Sequence, residues 1–315
     1  LAANTTVGAI RGLETYAQLF EYSESGDASL HMLPIKIADR PRWKYRGIKI
    51  DTSRHFIDLP HLRNIVRAME AAKMNVLQWH IIDGQSFPLE SKLFPQLAER
   101  GRYCASCTYS QAEIKGLVAF AKARGVRIIP ELDMPGHSGF QYGMPEIVAC
   151  PHDQSGAGSN RALDPTLNRT YAFLTEFLSE QAELFGDPVI NVYGDEVRFP
   201  CWNSSATIAS WMSAHGIAAG DFQALTEVFW RRFATEVAPE VFKRTGVAVM
   251  IGEADVWGTD GPPYELPQWL AQAVPGYPLP LTVEVWGGYT LDQSENGTLR
   301  KVLATDGMEA VVGGP

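Results

Sequence analysis

No apolar run in this 315-residue chain approaches the roughly 18 residues that a bilayer-spanning helix needs, so no membrane span is expected. Basic tracts are missing too: the Lys/Arg-rich spots are scattered, the net charge is -9 and the pI is near 5.3. That balance argues against a nucleic-acid partner, which would want a basic face. No Gly-X-Gly-X-X-Gly element follows the first strand-like run, and no cofactor is expected. Cysteine is sparse, and four of them allow three pairings. Cys104 and Cys107 form a Cys-X-X-Cys pair, yet no second pair or histidine cluster follows at zinc-finger spacing. A structural disulfide or free thiols remain for them. Leu1 to Val7 lacks the character of a signal peptide, so any such segment is expected to have been removed or to lie upstream.

What is present fits a globular domain. A hydrophobic fraction of 45% beside 20% charge allows a sizeable core. Asn-X-Ser/Thr sequons at Asn4, Asn168, Asn203 and Asn296 fit a glycoprotein of the secretory route, and an oxidising compartment with it.

Residues 1–45 differ in character from the rest of the chain. Ile10, Leu13, Tyr16, Ala17 and Phe20 recur at helical spacing over 9–20, and 31–38 reads as a strand before the break at Asp39-Arg40-Pro41. This is expected to be the C-terminal part of a small α+β domain. From residue 46 to 315 strand and helix patterns alternate. Apolar runs at 47–51, 75–83, 126–133, 189–193, 247–252, 280–286 and 308–312 read as buried parallel strands. Helical patterns at 60–73, 111–124, 170–185, 225–237 and 296–304 lie between them, and Gly125 and Gly186 mark two helix ends. Such units imply a parallel sheet with right-handed crossovers, either an open doubly wound sheet or a (β/α)8 TIM barrel with about seven of its strands present.

The polar residues favour the barrel. Asp51 to Arg54, His80 and Asp83, Asp133 and His137, Asp195-Glu196, and Glu284 to Trp286 all fall at carboxyl ends of these strands. A barrel brings those ends to one face, where its active sites lie. Adjacent acids at the end of a strand can divide labour, one holding a proton while the other stays charged. Arg54 suits ligand hydroxyls, Asp83 and His137 suit an orienting pair, and Trp286 offers a flat face to a sugar ring. The acids and histidines also suit a metal, with His80 and Asp83 at His-X-X-Asp spacing; no dense ligand set accompanies them, and no metal is expected.

These residues carry a resemblance. RGIKIDTSRH at 46–55, NVLQWHIID at 75–83, PELDMPGH at 130–137 and GDEVRFPCW at 194–202 are similar to glycoside hydrolase family 20, the β-N-acetylhexosaminidases, in their eukaryotic lysosomal and secreted branch. GLETYAQ at 12–18 resembles the end of that family's small N-terminal α+β domain. The resemblance implies a retaining exo-glycosidase in which the substrate's own 2-acetamido oxygen attacks. It makes Glu196 the general acid and Asp195 the group that orients the acetamido nitrogen. Arg54 binds hydroxyls of the terminal sugar, Asp83 and His137 form a relay to Glu196, and Trp286 packs around the acetamido group. His80 and Asp133 support the pocket, and Cys150 with Cys201 matches a family disulfide. Implied partners are terminal β-linked N-acetylglucosamine or N-acetylgalactosamine glycans or chitooligosaccharides, with a homodimer of the full-length protein fitting the family habit. The implied location is secreted, lysosomal or vacuolar.

Departures accompany the likeness. Gly84 stands where the family usually has a second Asp, Tyr193 replaces a glycine, and Ile251 falls where a pocket tryptophan is expected, with Trp257 nearby. The family continues past Gly313-Gly314-Pro315 with a Tyr, an Asp, and a last-strand Trp and Glu that bind the sugar. A barrel without its last strand leaves unpaired edges. The chain is therefore expected to be part of a longer polypeptide or a truncated form, and a degenerate, non-catalytic glycan-binding homologue is the alternative to an enzyme. A family 18 chitinase-like barrel wants Asp-X-Asp-X-Glu along one strand, which adjacent Asp195-Glu196 does not supply.

Overall fold

The computed structural model describes residues 1–31, 33–151, 161–194 and 196–252, with the backbone of 281–286 and 308–313. The chain opens with α1 (Thr6–Ala17), capped by the Thr5 hydroxyl on the amide of Gly8, and a two-residue antiparallel ladder of β1 (Glu21–Tyr22) on β2 (Ala28–Ser29). The strand expected over 31–38 does not form among the described residues there. Pro34 removes a backbone donor in its middle, and Ile35 and Ile37 stay exposed without a core to face.

The remainder alternates as the patterning requires: β3 (Gly47–Asp51), α2 (Leu59–Ala71), β4 (Val76–Ile82), α3 (Gln96–Gly101), α4 (Gln111–Lys122), β5 (Arg127–Leu132), α5 (Asn168–Phe185) and β6 (Val189–Asn191). There follow α6 (Phe199–Asn203), α7 (Ala206–Ala214), α8 (Phe222–Arg232), α9 (Ala238–Thr245), β7 (Ala248–Gly252), β8 (Leu281–Trp286) and β9 (Met308–Gly313). Strands β3 to β9 pair in sequence order, every pair parallel. A doubly wound sheet would reverse that order at a switch point. Sequential winding is the barrel's, so the fold is of the (β/α)8 type with seven strands among the described residues.

Helix starts follow local chemistry. Asp58 caps α2, and Ser110 with Glu113 forms a reciprocal capping box on α4. The helix expected over 225–237 instead runs from α8 through a π-helical turn, Phe233–Val237, into α9. Pro239 does not stop it, because it sits in the first turn of α9 where no intrahelical donor is needed. The expected helix at 296–304 lies outside the described residues.

Strand parity explains the layers. Leu77, Trp79 and Ile81 of β4 pack in the main core beneath the helices, where the Trp79 ring meets Tyr109 edge-on at 5.0 Å. The alternate positions face the barrel axis. At the amino-terminal end Val76, Ile129 and Met250 form a small apolar cluster of their own. Toward the carboxyl ends β4, β5 and β6 present Gln78, Glu131 and Asn191, all buried and polar. The axis thus turns from apolar to charged toward the carboxyl ends, which is what positions the site.

Candidate active site

Arg54 anchors the site through a turn built by its own strand. Asp51, the last residue of β3, accepts from the amides of Ser53 (2.9 Å) and Arg54 (3.0 Å), and its other oxygen takes Arg54 Nη1 at 2.7 Å. Ser53 and Ser86 donate to each other's carbonyls, at 2.8 and 2.6 Å, which ties the loop after β3 to that after β4. Arg54 Nη2 then meets Asp83 Oδ2 at 2.7 Å.

Asp83 is fully buried and saturated with donors. Besides Arg54 it accepts from His80 Nε2 at 2.9 Å, from His137 Nδ1 at 3.1 Å and from the amide of Gly84 at 2.5 Å. Burial alone would raise its pKa, but the hydrogen bonds and charges of His137 and His80 overcome that and hold it down at about 2. Gly139, in the left-handed region at φ 69°, lets the loop after β5 pass close by: a Cβ there would sit 2.5 Å from the Asp83 carbonyl oxygen. That loop delivers His137, itself at φ 50°, so that its Nε2 lies 3.4 Å from Glu196 Oε2.

Glu196 reaches the pocket by a strained turn. After β6 the chain runs through Tyr193 (φ 50°) and Gly194 (φ 102°) to Glu196 (φ 43°), all outside the conformations that side chains favour. Gly194 is obligatory twice over, since a Cβ would meet the Trp230 ring at 2.5 Å. Its amide donates to Asp133 Oδ1 at 3.0 Å. Tyr193, where the family has a glycine, is buried with its ring 4.1 Å from Lys49 Nζ. Glu196 leaves this turn with its side chain 60% exposed, open to a ligand.

His80 and Glu131 lie deeper, Nδ1 to Oε1 at 2.5 Å. Burial disfavours the charge on His80, but Glu131 and Asp83 outweigh it and push its pKa from 6.5 up to about 10. Burial would likewise raise Glu131, yet His80 and Lys49 hold it below the usual carboxylate range. Lys49 Nζ stands 2.7 Å from Glu131. Sequence reasoning did not single out Glu131 or Lys49; the signal was strand parity, which puts Glu131 on the same face of β5 as Asp133.

The structure therefore brings Arg54, His80, Asp83, Asp133, His137 and Glu196 to one end of the sheet. Asp195 and the side chain of Trp286 lie outside the described residues, as does Trp257. Ile251 is buried in the main core. His80, Asp83 and Asp133 offer ligand atoms within 4.8 Å of one another, but the site does not suit a metal. The Arg54 guanidinium already supplies the positive charge there, and both nitrogens of His80 are engaged.

Two disulfides border the site. Cys150–Cys201 joins the segment after β5 to α6 across a separation of 51 residues, and Cys104–Cys107 closes a ring of separation 3. The chain-entropy relation gives the first about 4 kcal/mol and the second under ~2. A Cys150→Ser/Cys201→Ser variant is expected to lose several kcal/mol in denaturant unfolding, and the Cys104→Ser/Cys107→Ser variant far less. Equal losses would contradict the assignment.

A (β/α)8-type barrel with a charged carboxyl-end site is the class this geometry defines. The sequence pattern of glycosyl hydrolase family 20, catalytic domain, matches residues 43–251, and the chain belongs to that family. Among its relatives, the human beta-hexosaminidase subunit beta is 36% identical over 286 residues, covering 87% of this chain and 51% of its own. The Dictyostelium discoideum beta-hexosaminidase subunit A1 is 36% identical over 222 residues, 70% and 41% of the two chains. Among solved structures, the Flavobacterium johnsoniae chitobiase superposes with TM-score 0.71 at 26% identity over 98% of this chain and 43% of that one. The Vibrio harveyi exo beta-N-acetylglucosaminidase, solved in complex with N-acetylglucosamine, gives 0.72 at 23% identity over 98% and 47%, a likeness of fold alone. The chain spans about half the length of the curated relatives it matches.

Proposed function

We propose that this chain carries the acid machinery of an exo-β-N-acetylhexosaminidase, which removes terminal N-acetylhexosamine by substrate-assisted retention. The observation that carries the reading is the chain Arg54–Asp83–His137–Glu196 at the barrel's carboxyl face. Glu196 protonates the departing glycosidic oxygen as the substrate's acetamido oxygen attacks the anomeric carbon, and later takes a proton from water to open the oxazolinium intermediate. His137 faces that carboxyl with Nε2 and donates from Nδ1 to Asp83, so its Nε2 can accept from Glu196 while Glu196 holds its proton. Arg54, one-third exposed, binds hydroxyls of the terminal sugar. Asp195 orients the acetamido nitrogen and Trp286 covers the acetamido group.

The substrates are terminal β-linked N-acetylglucosamine or N-acetylgalactosamine on glycans or chitooligosaccharides. Residues 1–45 form the end of a small α+β domain and 46–315 belong to the catalytic barrel. Two disulfides and the hexosaminidase relatives support passage through the secretory pathway to a secreted, lysosomal or vacuolar location, and the full-length protein forms a homodimer. Among the described residues no helix is long and apolar enough to cross a membrane. Release of the chromophore from a chromogenic β-N-acetylglucosaminide, greatly reduced by Glu196→Gln, tests the reading. Binding of N-acetylglucosamine without turnover would favour a degenerate glycan-binding protein instead.

A further inference from the structure

Beneath the site lies a buried pair that the catalytic steps leave without a task. His80 stands between two carboxylates that are themselves fully buried, Glu131 on Nδ1 and Asp83 on Nε2. Glu131 also holds Lys49, the side-chain amide of Gln78, and Asn191 Nδ2 at 3.4 Å. The charged groups facing this cluster are Lys49 and Asp51 from β3, Arg54, Asp83 after β4, Glu131 of β5, and Asp133 and His137 beyond it. Arg54 Nη1 comes within 3.0 Å of His80 Nε2 because both converge on Asp83. Its own charge is matched by Asp51 and Asp83. With Asp51, Asp83, Glu131 and Asp133 against Lys49 and Arg54, a neutral His80 would leave two anions unmatched, and an imidazolium lying between two of them halves that excess. A neutral ring donating to Glu131 would also turn a bare Nε2 toward the Asp83 oxygen.

We propose that the Glu131–His80 pair is a positioning device: as carboxylate and imidazolium it clamps Asp83, and through Asp83 fixes the ring of His137 in front of Glu196. The inference rests on the proton-donating role proposed for Glu196. His80 and Arg54 take Asp83 Oδ2 and the Gly84 amide takes Oδ1, which fixes the carboxylate so that both its oxygens lie 3.1 Å from His137 Nδ1, with the cationic Arg54 Nη2 also 3.1 Å from that nitrogen. His137 is thereby held to the tautomer that presents Nε2 to Glu196. His80 and Glu131 never touch the substrate.

The test follows the histidine rings by NMR on the whole chain and turnover in parallel. In the native protein the His80 signal is expected to stay that of an imidazolium across roughly pH 5 to 8. In Glu131→Gln, which keeps shape but removes the anion, His80 titrates inside that window. At the same midpoint the His137 Nδ1–H resonance moves and kcat falls about tenfold with KM held within about twofold. A native His80 that titrates near its ordinary value, or a Glu131→Gln protein whose His137 signal and kcat stay flat while His80 titrates, would overturn the proposal. Should that variant fail to fold, His80→Gln keeps a donor without charge, and an unchanged His137 resonance and kcat would overturn it equally. If the full-length protein shows no turnover, the enzyme reading fails, and the His137 resonance still decides the clamp.

Discussion

Replacing Glu196 by Gln is expected to lower kcat for a sugar-alcohol leaving group by about three orders of magnitude, the middle of the range for a positioned acid. KM should stay within a few-fold, because Gln preserves the volume and a polar contact with His137 while losing the transferable proton. The size of the loss depends on the leaving group. A nitrophenolate departs with little help from an acid, so its hydrolysis should fall less than that of a chitooligosaccharide. Stability should barely move, since the side chain is 60% exposed and its contact with His137 is long, at 3.4 Å. The measurement is a pair of steady-state assays on substrates of different leaving-group basicity, with a melting curve as control. Undiminished hydrolysis of both substrates would remove Glu196 from the mechanism.

Asp83→Asn should affect both activity and stability. Asp83 is the one anion on which Arg54, His80 and His137 converge, and its side chain is fully buried. An amide there leaves the cationic His80 facing a donor and takes half of Arg54's charge partners away, although Asp51 retains the other half. Breaking a buried pair from one side costs about 3–5 kcal/mol, and the partial exposure of Arg54 places this case near 3. A fall in Tm of roughly 4–5 °C follows for a chain of this size. The pH dependence carries the diagnosis. Because the folded pKa of Asp83 is held down at about 2, its contribution is present above its unfolded value of 3.8 and is lost as pH falls through about 2. The native protein's advantage over Asp83→Asn should therefore shrink across that acid window. His80 acts with the opposite sign: its contribution is complete below 6.5 and fades as pH rises through about 10. A stability difference that is flat down to the acid limit would mean Asp83 is not the charge that holds the site.

The fold was legible because buried parallel strands advertise themselves as apolar runs, and the runs at 47–51 and 308–312 match β3 and β9 to within one residue. The candidate site was legible because charged residues and histidines gather at the carboxyl ends of those runs. Less legible was everything decided by neighbours in space. Gln78, Glu131 and Asn191 look like polar flaws in apolar strands until register sets Glu131 beside His80 and beside Asn191. Tyr193 illustrates a different limit: nothing local announces a tyrosine in the left-handed region, and its tolerance comes from burial against Lys49. In residues 1–45 the helix was readable by period, but 31–38 had β-formers without a partner strand.

Arg11 of α1 reaches past its own segment. Its guanidinium donates to the carbonyls of Glu70 and Met74 at 2.6 Å, where α2 ends, and to that of Gly125 at 3.2 Å, where α4 ends. Two helix dipoles thus terminate on one shared cation. Mechanically it is a buckle at the foot of the barrel, so a cut at residue 46 would take the shared cation from two barrel helix ends at once. Where the sequence changes character is not where the molecule comes apart.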